Sequence, residues 1–264
     1  MTIASFLSSH ANGADQTARV LVWERMLHQS LMLLSQAQQR VCSPSLQKEL
    51  QELDGWWRTA RTKLRGKTCR VPSEEAITEA LCVEMEKIRK ELIVQGLRGN
   101  RRLAGLDSLA VAPDQPRNMK TGIGKKSKPT DIRFYRLNSE ALDLRVEAKV
   151  LIREGDLKAS YLSKKGLQRF SDVREPYTDN EIGGMVAYAV TDSQDEWTAR
   201  IEHALQSSAP PYPTFKYQLD SLPTDTLFSR VPYTVRASIR NEVLVFHFVL
   251  EFVCEPDVRQ STCA

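Results

Sequence analysis

The apolar and polar positions along the chain predict helices first, and then a mixture of strands and helices. Residues 17–41 carry apolar side chains at helical spacing with no Gly or Pro, which predicts a long amphipathic helix. Ser43 and Pro44, a common N-cap and first-turn pair, begin a second predicted helix that extends to residue 64. We therefore expect a helical hairpin over residues 1–70 that serves oligomerisation or partner binding and carries no candidate catalytic group.

The second predicted unit covers residues 71–264 and has an α/β pattern. Its first helix begins after Ser73 and ends near Gly96, and Glu74 and Glu84 project on or beside its apolar stripe. Alternating or apolar runs predict strands over 131–137, 141–151, 184–190, 233–239 and 242–253, and two further helices are expected around 161–170 and over 194–206.

Residues 97–130 lose all periodicity and are predicted to form a functional or mobile loop. This segment carries eight basic residues against two acidic ones, so the positive charge of the chain is concentrated there. A local excess of this kind indicates a polyanionic partner, and Lys125, Lys126 and Lys128 are candidate nucleic-acid-binding residues. The alternative is a solvated loop without a binding role.

Composition and spacing narrow the class of protein. The 37 basic and 33 acidic residues nearly balance, which argues against a chain that is disordered throughout. No apolar stretch reaches the roughly 20 residues of a membrane span, and the N-terminus lacks the basic start of a secretory signal. The five scattered cysteines predict reduced thiols in a cytoplasmic protein. The four histidines lack zinc-site spacing, so any metal ion is expected to have oxygen ligands.

The predicted hairpin brings two carboxylates together. A three-residue loop between its strands would place Asp131 opposite Glu147, with side-chain roots about 5 Å apart. The two negative charges repel each other, so another interaction must favour this arrangement. An Asp and a Glu this close form a hard-oxygen site for Mg²⁺ or Mn²⁺. Lys149 shares the face of Glu147, where it could orient or deprotonate a water molecule. The alternative is a surface hairpin with cross-strand lysine pairing.

Pro129-Thr130-Asp131 followed by Glu147-Ala148-Lys149 resembles the motif of the PD-(D/E)xK restriction-endonuclease-like nuclease superfamily. Thr130 stands where the family motif has proline. The resemblance covers roughly residues 73–253 and implies an α-β-β-β-α-β core with a mixed sheet.

The resemblance also implies roles for individual residues. The implied metal ligands are Asp131, Glu147 and the carbonyl oxygen of Ala148. Lys149 would serve the attacking water, and many members add a glutamate from the first helix, for which Glu74 is the first choice and Glu84 the second. The connection after the second strand carries Lys164, Lys165 and Arg169. The last two are four residues apart, so we expect them on one helical face, contacting successive phosphates unless the face is merely solvated.

The sequence thus predicts a Mg²⁺-dependent (or Mn²⁺-dependent) phosphodiesterase that cuts nucleic acid. Double-stranded DNA is the expected substrate, endonuclease action is favoured over exonuclease action, and the family suggests bacterial antiviral defence or restriction. A homodimer or a partner subunit is expected through the N-terminal helices. The first alternative is a non-catalytic nucleic-acid-binding subunit of a larger complex. The second is an interaction scaffold built around the hairpin, which leaves the opposed carboxylates unexplained.

Overall fold

A computed structural model describes residues 3–10, 16–52, 60–64, 67–95, 103–113, 130–137, 139–172, 177–178, 180–219, 222, 225–232 and 242–252. The helices are α1 (Ile3–His10), α2 (Gln16–Val41), α3 (Pro44–Glu52), α4 (Glu74–Val94) and α5 (Gln194–Gln206). The strands are β1 (Ala60–Leu64), β2 (Lys67–Val71), β3 (Leu109–Pro113), β4 (Ile132–Arg136), β5 (Ser139–Leu151), β6 (Ile182–Ala189), β7 (Thr214–Tyr217), β8 (Thr226–Pro232) and β9 (Glu242–Glu251).

Seven strands form one mixed sheet in the order β3-β4-β5-β6-β9-β8-β7. β5, β6 and β9 are parallel, and the other neighbouring strands are antiparallel. Alternate residues of β6 pack on opposite faces: Val186 lies in a hydrophobic cluster with α2 and α4, and Ala187 lies in a second cluster with α5. Helices therefore cover both faces of the sheet, which confirms the α/β class. The strand predicted over 233–239 lies outside the described residues.

The second helix is shorter than predicted. α3 ends at Glu52, and residues 60–64 and 67–71 form the antiparallel pair β1 and β2 instead of a helix. Apolar residues at Trp57, Ala60 and Leu64 also fit a helical period, so the pattern alone favours the wrong element. The predicted helical hairpin up to residue 70 is therefore wrong in its second half.

Helix α2 packs against its own chain. Trp23, Leu27, Leu31 and Leu34 are fully buried, in the same hydrophobic cluster as Ile77 of α4. The N-terminal segment thus shares one core with the sheet and is not the separate unit that we expected. The expectation of a partner rested on an apolar surface that this packing covers. Among the described helices, none is long and apolar enough to cross a membrane.

The segment predicted to be an irregular loop contains a strand. β3 lies within it and pairs with β4 in an antiparallel register, from Leu109 opposite Arg136 to Pro113 opposite Ile132. Five residues are too few to show a period of two clearly, which is why the sequence pattern misses this strand. Lys125, Lys126 and Lys128 lie outside the described residues.

The hairpin of β4 and β5 confirms the predicted register at the end that carries the carboxylates. Ile132 pairs with Val146, and every pair as far as Tyr135 keeps the predicted offset. Asp131 donates its backbone N–H to the Val146 carbonyl oxygen at 3.1 Å, whereas the predicted offset would require the Glu147 carbonyl, so the regular pairing ends at Ile132. The predicted three-residue loop is wrong, because β5 already begins at Ser139 after a shift in register.

The connection between β5 and β6 is not the basic helix predicted for it. It contains a π-helical turn over Leu157–Tyr161 and a 3₁₀ turn over Leu167–Ser171, and Gly166 separates them. A Cβ atom on Gly166 would lie 2.2 Å from the Tyr161 carbonyl oxygen, so the close approach requires glycine. Lys165 and Arg169 consequently do not share a helical face, and Arg169 is buried rather than facing solvent.

Candidate active site

The site forms where β4 and β5 separate. β4 begins only at Ile132, which pairs with Val146 of β5. The β5 backbone after Val146 therefore has no β4 residue beside it. Two carboxylates take that place: the Ala148 N–H donates to Asp131 Oδ2 at 2.7 Å, and the Val150 N–H donates to Glu74 Oε2 at 3.3 Å. Because the edge of the strand must satisfy its backbone groups, it fixes the position of both carboxylates.

The Lys149 ammonium lies at the centre of the site. Its Nζ atom is 2.7 Å from Glu74 Oε1 and 2.8 Å from Glu147 Oε1. It also donates to the Ala148 carbonyl oxygen at 2.6 Å and lies 3.9 Å from Asp131 Oδ2. The structure therefore brings together, at one point, every residue that the sequence analysis assigned to catalysis or metal binding.

Helix α4 carries Glu74 into the site from its first turn. Ser73 caps the helix, and its Oγ accepts a backbone N–H of that turn at 3.1 Å. The buried stripe that fixes the rotation of the helix includes Ile77, Leu81, Met85 and Ile88. Glu84, the second choice for the site, is buried elsewhere on α4, where it pairs with Lys87 at 2.6 Å and Arg40 at 3.8 Å. Glu84 is therefore not part of the site.

Burial makes the carboxylates of the site hard to ionise. The pKa of Glu147 rises to about 8, chiefly because the side chain is buried and then because Asp131 is close, although Lys149 opposes both effects. Burial likewise raises the pKa of Asp131 and of Glu74. Burial tends to lower the pKa of Lys149, but the surrounding carboxylates outweigh it and raise that pKa above its usual value. The Lys149 side chain therefore keeps its proton at neutral pH.

These pKa shifts predict that the metal-free protein loses stability as the pH rises. The pKa of Glu147 is about 8 in the folded chain against 4.5 for an ordinary glutamate, so the folded state binds more protons between these values. The contribution of Glu147 to the free energy of unfolding is therefore fully present below pH 4.5, and it is lost as the pH rises through about 8. Lys149 adds no slope here, because its pKa lies above this window in both states. We expect the melting temperature of the wild type in chelator to fall between about pH 5.5 and 8.5, and that of Glu147→Gln to fall less. If the melting temperatures of the two proteins fall equally with pH, Glu147 is not the group that causes the loss of stability.

Tyr177 is a site residue that the sequence analysis missed. Its hydroxyl donates to the Lys165 carbonyl oxygen at 3.4 Å and lies close enough to the Glu147 carboxylate to lower the pKa of that group. Phe170 contacts the Tyr177 ring edge-on, with centroids 5.3 Å apart, and the Arg169 guanidinium lies 5.7 Å from the ring. A single tyrosine in a polar connection gives no periodic signal, so only the folded chain shows this contact.

A pair of arginines beside the carboxylates was also missed. Arg133 and Arg145 are directly opposite each other in β4 and β5. Arg145 lies on the same face as Glu147, about 6.6–7 Å away along the strand. Asp143 holds both arginines, with Arg133 Nε at 2.6 Å and Arg145 Nε at 3.5 Å from its carboxylate oxygens. The signal was present in the sequence as charged residues at alternate positions of β5.

The other acidic-x-Lys triplet of the sequence, Asp156-Leu157-Lys158, lies outside the site. Asp156 Oδ2 accepts the backbone N–H groups of Ile152 and Arg153 at 2.9 and 3.0 Å, so its carboxylate holds the turn that follows β5. The Lys158 side chain is exposed. This triplet therefore offers a matched control for substitutions in the first one.

The donor set suits a hard divalent cation. Carboxylate and carbonyl oxygens are the ligands that Mg²⁺ and Mn²⁺ prefer, and they converge here from three segments of the chain. Within the part of the chain that the structure describes, no three acidic, histidine or cysteine side chains already surround a common metal position. The Lys149 ammonium holds the centre instead. The residues therefore fit such an ion in kind, with Asp131, Glu147 and the Ala148 carbonyl as ligands.

Comparisons with known proteins do not supply a relative from which a function could be transferred. No family model, curated protein or solved structure matches the chain. The resemblance to PD-(D/E)xK nucleases therefore stays a prediction from the motif residues. In chemical terms, buried carboxylates and a carbonyl oxygen around an ammonium are groups that can bind a cation, and the two arginines beside them are paired with Asp143.

Proposed function

We propose that this protein is a Mg²⁺-dependent nuclease that hydrolyses phosphodiester bonds in DNA. One observation carries the proposal: the Lys149 ammonium contacts Glu74 and Glu147 at 2.7 and 2.8 Å and approaches Asp131, so acidic groups from three separate segments meet at one lysine. An isolated surface hairpin, the alternative for Asp131 and Glu147, would not recruit a carboxylate from α4.

The order of elements around the site also supports the proposal. In chain order these are α4, β3, β4, β5, the helical turns within 157–171, and β6. This order resembles the α-β-β-β-α-β order that the family implies, if the helical turns stand in place of the second helix. The strands predicted over 131–137, 141–151 and 184–190 correspond to β4, β5 and β6, so β3 is a strand that the sequence analysis missed.

The chain's own residues suggest how each would act. A divalent cation held by Asp131, Glu147 and the Ala148 carbonyl would supply Lewis-acid stabilisation of the phosphate and a lowered pKa for water. Lys149 keeps its proton, so it donates hydrogen bonds to a phosphate oxygen or to the attacking water and is not the proton acceptor. The Glu74 carboxylate, hydrogen-bonded to Lys149 at 2.7 Å, would then be the group that accepts the proton of the attacking water.

A nucleic-acid substrate is supported by the charge around the site. Arg133 and Arg145 lie on the face of Glu147 and both pair with Asp143; a guanidinium released from that pair would bind phosphate through paired hydrogen bonds, and Arg133 is the more exposed of the two. Lys164 and Lys165 are exposed on the connection that also carries Tyr177. Cleavage of double-stranded DNA and a role in bacterial defence or restriction are proposals that follow from the family resemblance. A homodimer would suit double-strand cleavage, but its expected basis, the apolar surface of the N-terminal helices, is covered by the chain's own core.

A non-catalytic nucleic-acid-binding subunit is the second candidate. The observation that favours it is that Lys149 is fully engaged with the carboxylates, as in a static ion-pair network. Incubating the purified protein with plasmid DNA and with short RNA, in Mg²⁺ or in chelator, distinguishes the candidates. We expect cleavage of DNA in Mg²⁺ only. Binding without cleavage would favour the second candidate, and cleavage of RNA alone would change the substrate.

Neutralising the basic segment should weaken nucleic-acid binding at all sequences alike. Replacing Lys125, Lys126 and Lys128 with Gln removes up to three phosphate contacts, each worth about 0.7–0.9 in the slope of log K against log salt. We therefore expect that slope to flatten by about 2–3, measured by fluorescence anisotropy over a salt series. The control is a triple Gln variant at three exposed lysines far apart in the chain, Lys48, Lys90 and Lys158. An unchanged slope would show that these lysines do not contact phosphates and that the segment is a solvated loop without a binding role.

A further inference from the structure

The oxygen atoms that would hold a metal ion already surround the positively charged ammonium group of Lys149. The Ala148 carbonyl oxygen and Glu147 Oε1 lie 2.6 and 2.8 Å from Nζ, and Asp131 Oδ2 lies 3.9 Å away. Glu74 Oε1 completes the surroundings at 2.7 Å. The ammonium therefore satisfies the same oxygens that are implied as metal ligands.

An ammonium and a divalent cation cannot share these oxygens in this arrangement. Mg²⁺ binds its oxygen ligands at about 2.0–2.1 Å and demands an octahedral shell, which leaves no room for a hydrogen-bonded Nζ atom at the same point. The two positive charges would also repel each other strongly in a buried site, where water screens them weakly. One of the two cations must leave.

Resting on the proposed function, we propose that Lys149 is the resident cation of this site, and that its ammonium moves out to a substrate phosphate when a divalent metal ion binds. Lys149 and the metal ion then compete for the carboxylates, and nucleic acid favours the metal ion by giving Lys149 another anion to bind. Metal binding and nucleic-acid binding are therefore positively coupled, and by thermodynamic linkage each strengthens the other equally.

The structure offers Lys149 a way out. Its side chain is a flexible chain of four methylenes that ends among the carboxylates at the open edge of β5. The Glu74 and Asp131 side chains are 27% and 26% exposed, whereas the Glu147 side chain is only 7% exposed, so the ammonium is nearer solvent on the side of Glu74 and Asp131. A phosphate that approaches from this side reaches the ammonium without passing Glu147.

Calorimetric titration with Mn²⁺ alone tests this competition without any cleavage. We would compare the wild type with Lys149→Met, which removes the charge at similar length, and with Lys149→Arg, which keeps it. Lys158→Met, in the other acidic-x-Lys triplet, is the matched control because Lys158 is exposed. Lys149→Gln serves as a second neutral variant if Lys149→Met fails to fold, and circular dichroism checks folding of each.

We expect the neutral Lys149 variants to bind Mn²⁺ at least about tenfold more tightly than the wild type, and the Lys149→Arg and Lys158→Met variants to show no such gain. A short DNA duplex in which methylene groups replace the bridging oxygens at which cleavage would occur cannot be hydrolysed there, and it should then tighten Mn²⁺ binding to the wild type but not to Lys149→Met. Equal or weaker Mn²⁺ binding by the neutral variants would overturn the competition and leave the nuclease proposal standing. Absence of Mn²⁺ binding in all variants, with and without duplex, would overturn both.

Discussion

Lys149→Ala and Glu147→Gln should both abolish cleavage, by about 10³-fold or more, while shifting the stability of the metal-free protein in opposite directions. Lys149→Ala removes the ammonium that Glu74 and Glu147 contact and leaves buried carboxylates unpaired, which costs about 3 kcal/mol of unfolding free energy. Glu147→Gln removes a carboxylate whose ionisation burial already disfavours. We therefore expect its melting temperature in chelator to equal or exceed that of the wild type.

Cleavage rates in Mg²⁺ and thermal melts in chelator measure the two effects separately. Glu84→Gln is the matched control, because Glu84 is also a buried glutamate on α4 but pairs with Lys87 outside the site. It should cut at the wild-type rate and melt at a lower temperature. A folded Glu147→Gln or Lys149→Ala protein that still cuts would remove these residues from the mechanism.

A chain that begins at Thr68 should fail to fold. It lacks the α2 residues Trp23, Leu27, Leu31 and Leu34, which are fully buried against α4 and the sheet. Emptying a single buried leucine position costs about 2–5 kcal/mol, so losing the whole helix exceeds the roughly 5–15 kcal/mol that stabilises a typical domain.

Near-ultraviolet circular dichroism and binding of a hydrophobic dye to the truncated chain check this expectation. We expect no cooperative thermal transition and strong dye binding, compared with a sharp transition for the full chain. A truncated chain that melts cooperatively would show that the unit after residue 70 is independent, as the sequence pattern alone indicated.

The sequence predicts the site better than it predicts the elements around it. The strict two-residue period of β5 puts Glu147 and Lys149 on one face, and the predicted offset holds from Ile132 to Tyr135 although the assumed loop is wrong. Glu74 could be chosen because the 100° rotation per residue of a helix separates the inward from the outward glutamates. The positions of these residues could be predicted because a helix or strand repeats regularly over several turns or several residue pairs.

The remaining features depend on contacts between distant parts of the chain. Tyr177 lies near Glu147 at the end of a connection with no regular period, and Ala60–Leu64 form a strand rather than a helix because they pair with β2. Glu84 fits the inward stripe as well as Glu74 does, but Lys87 and Arg40 bind it away from the site. The local sequence pattern shows which face of a helix a residue occupies, but it does not show which residue it contacts. Only the packing of the folded chain distinguishes such alternatives.

The central claim is that these carboxylates and Lys149 form a metal-dependent phosphodiesterase centre. Supercoiled plasmid incubated with wild type and with Glu147→Gln, purified in parallel and assayed in Mg²⁺ and in chelator, tests it most directly. A contaminating nuclease would cut equally in both preparations, so the variant separates the protein's own activity from background. We expect nicked or linear plasmid with the wild type in Mg²⁺ and intact plasmid in the other three samples. Intact plasmid in all four, or equal cutting by both proteins, would contradict it.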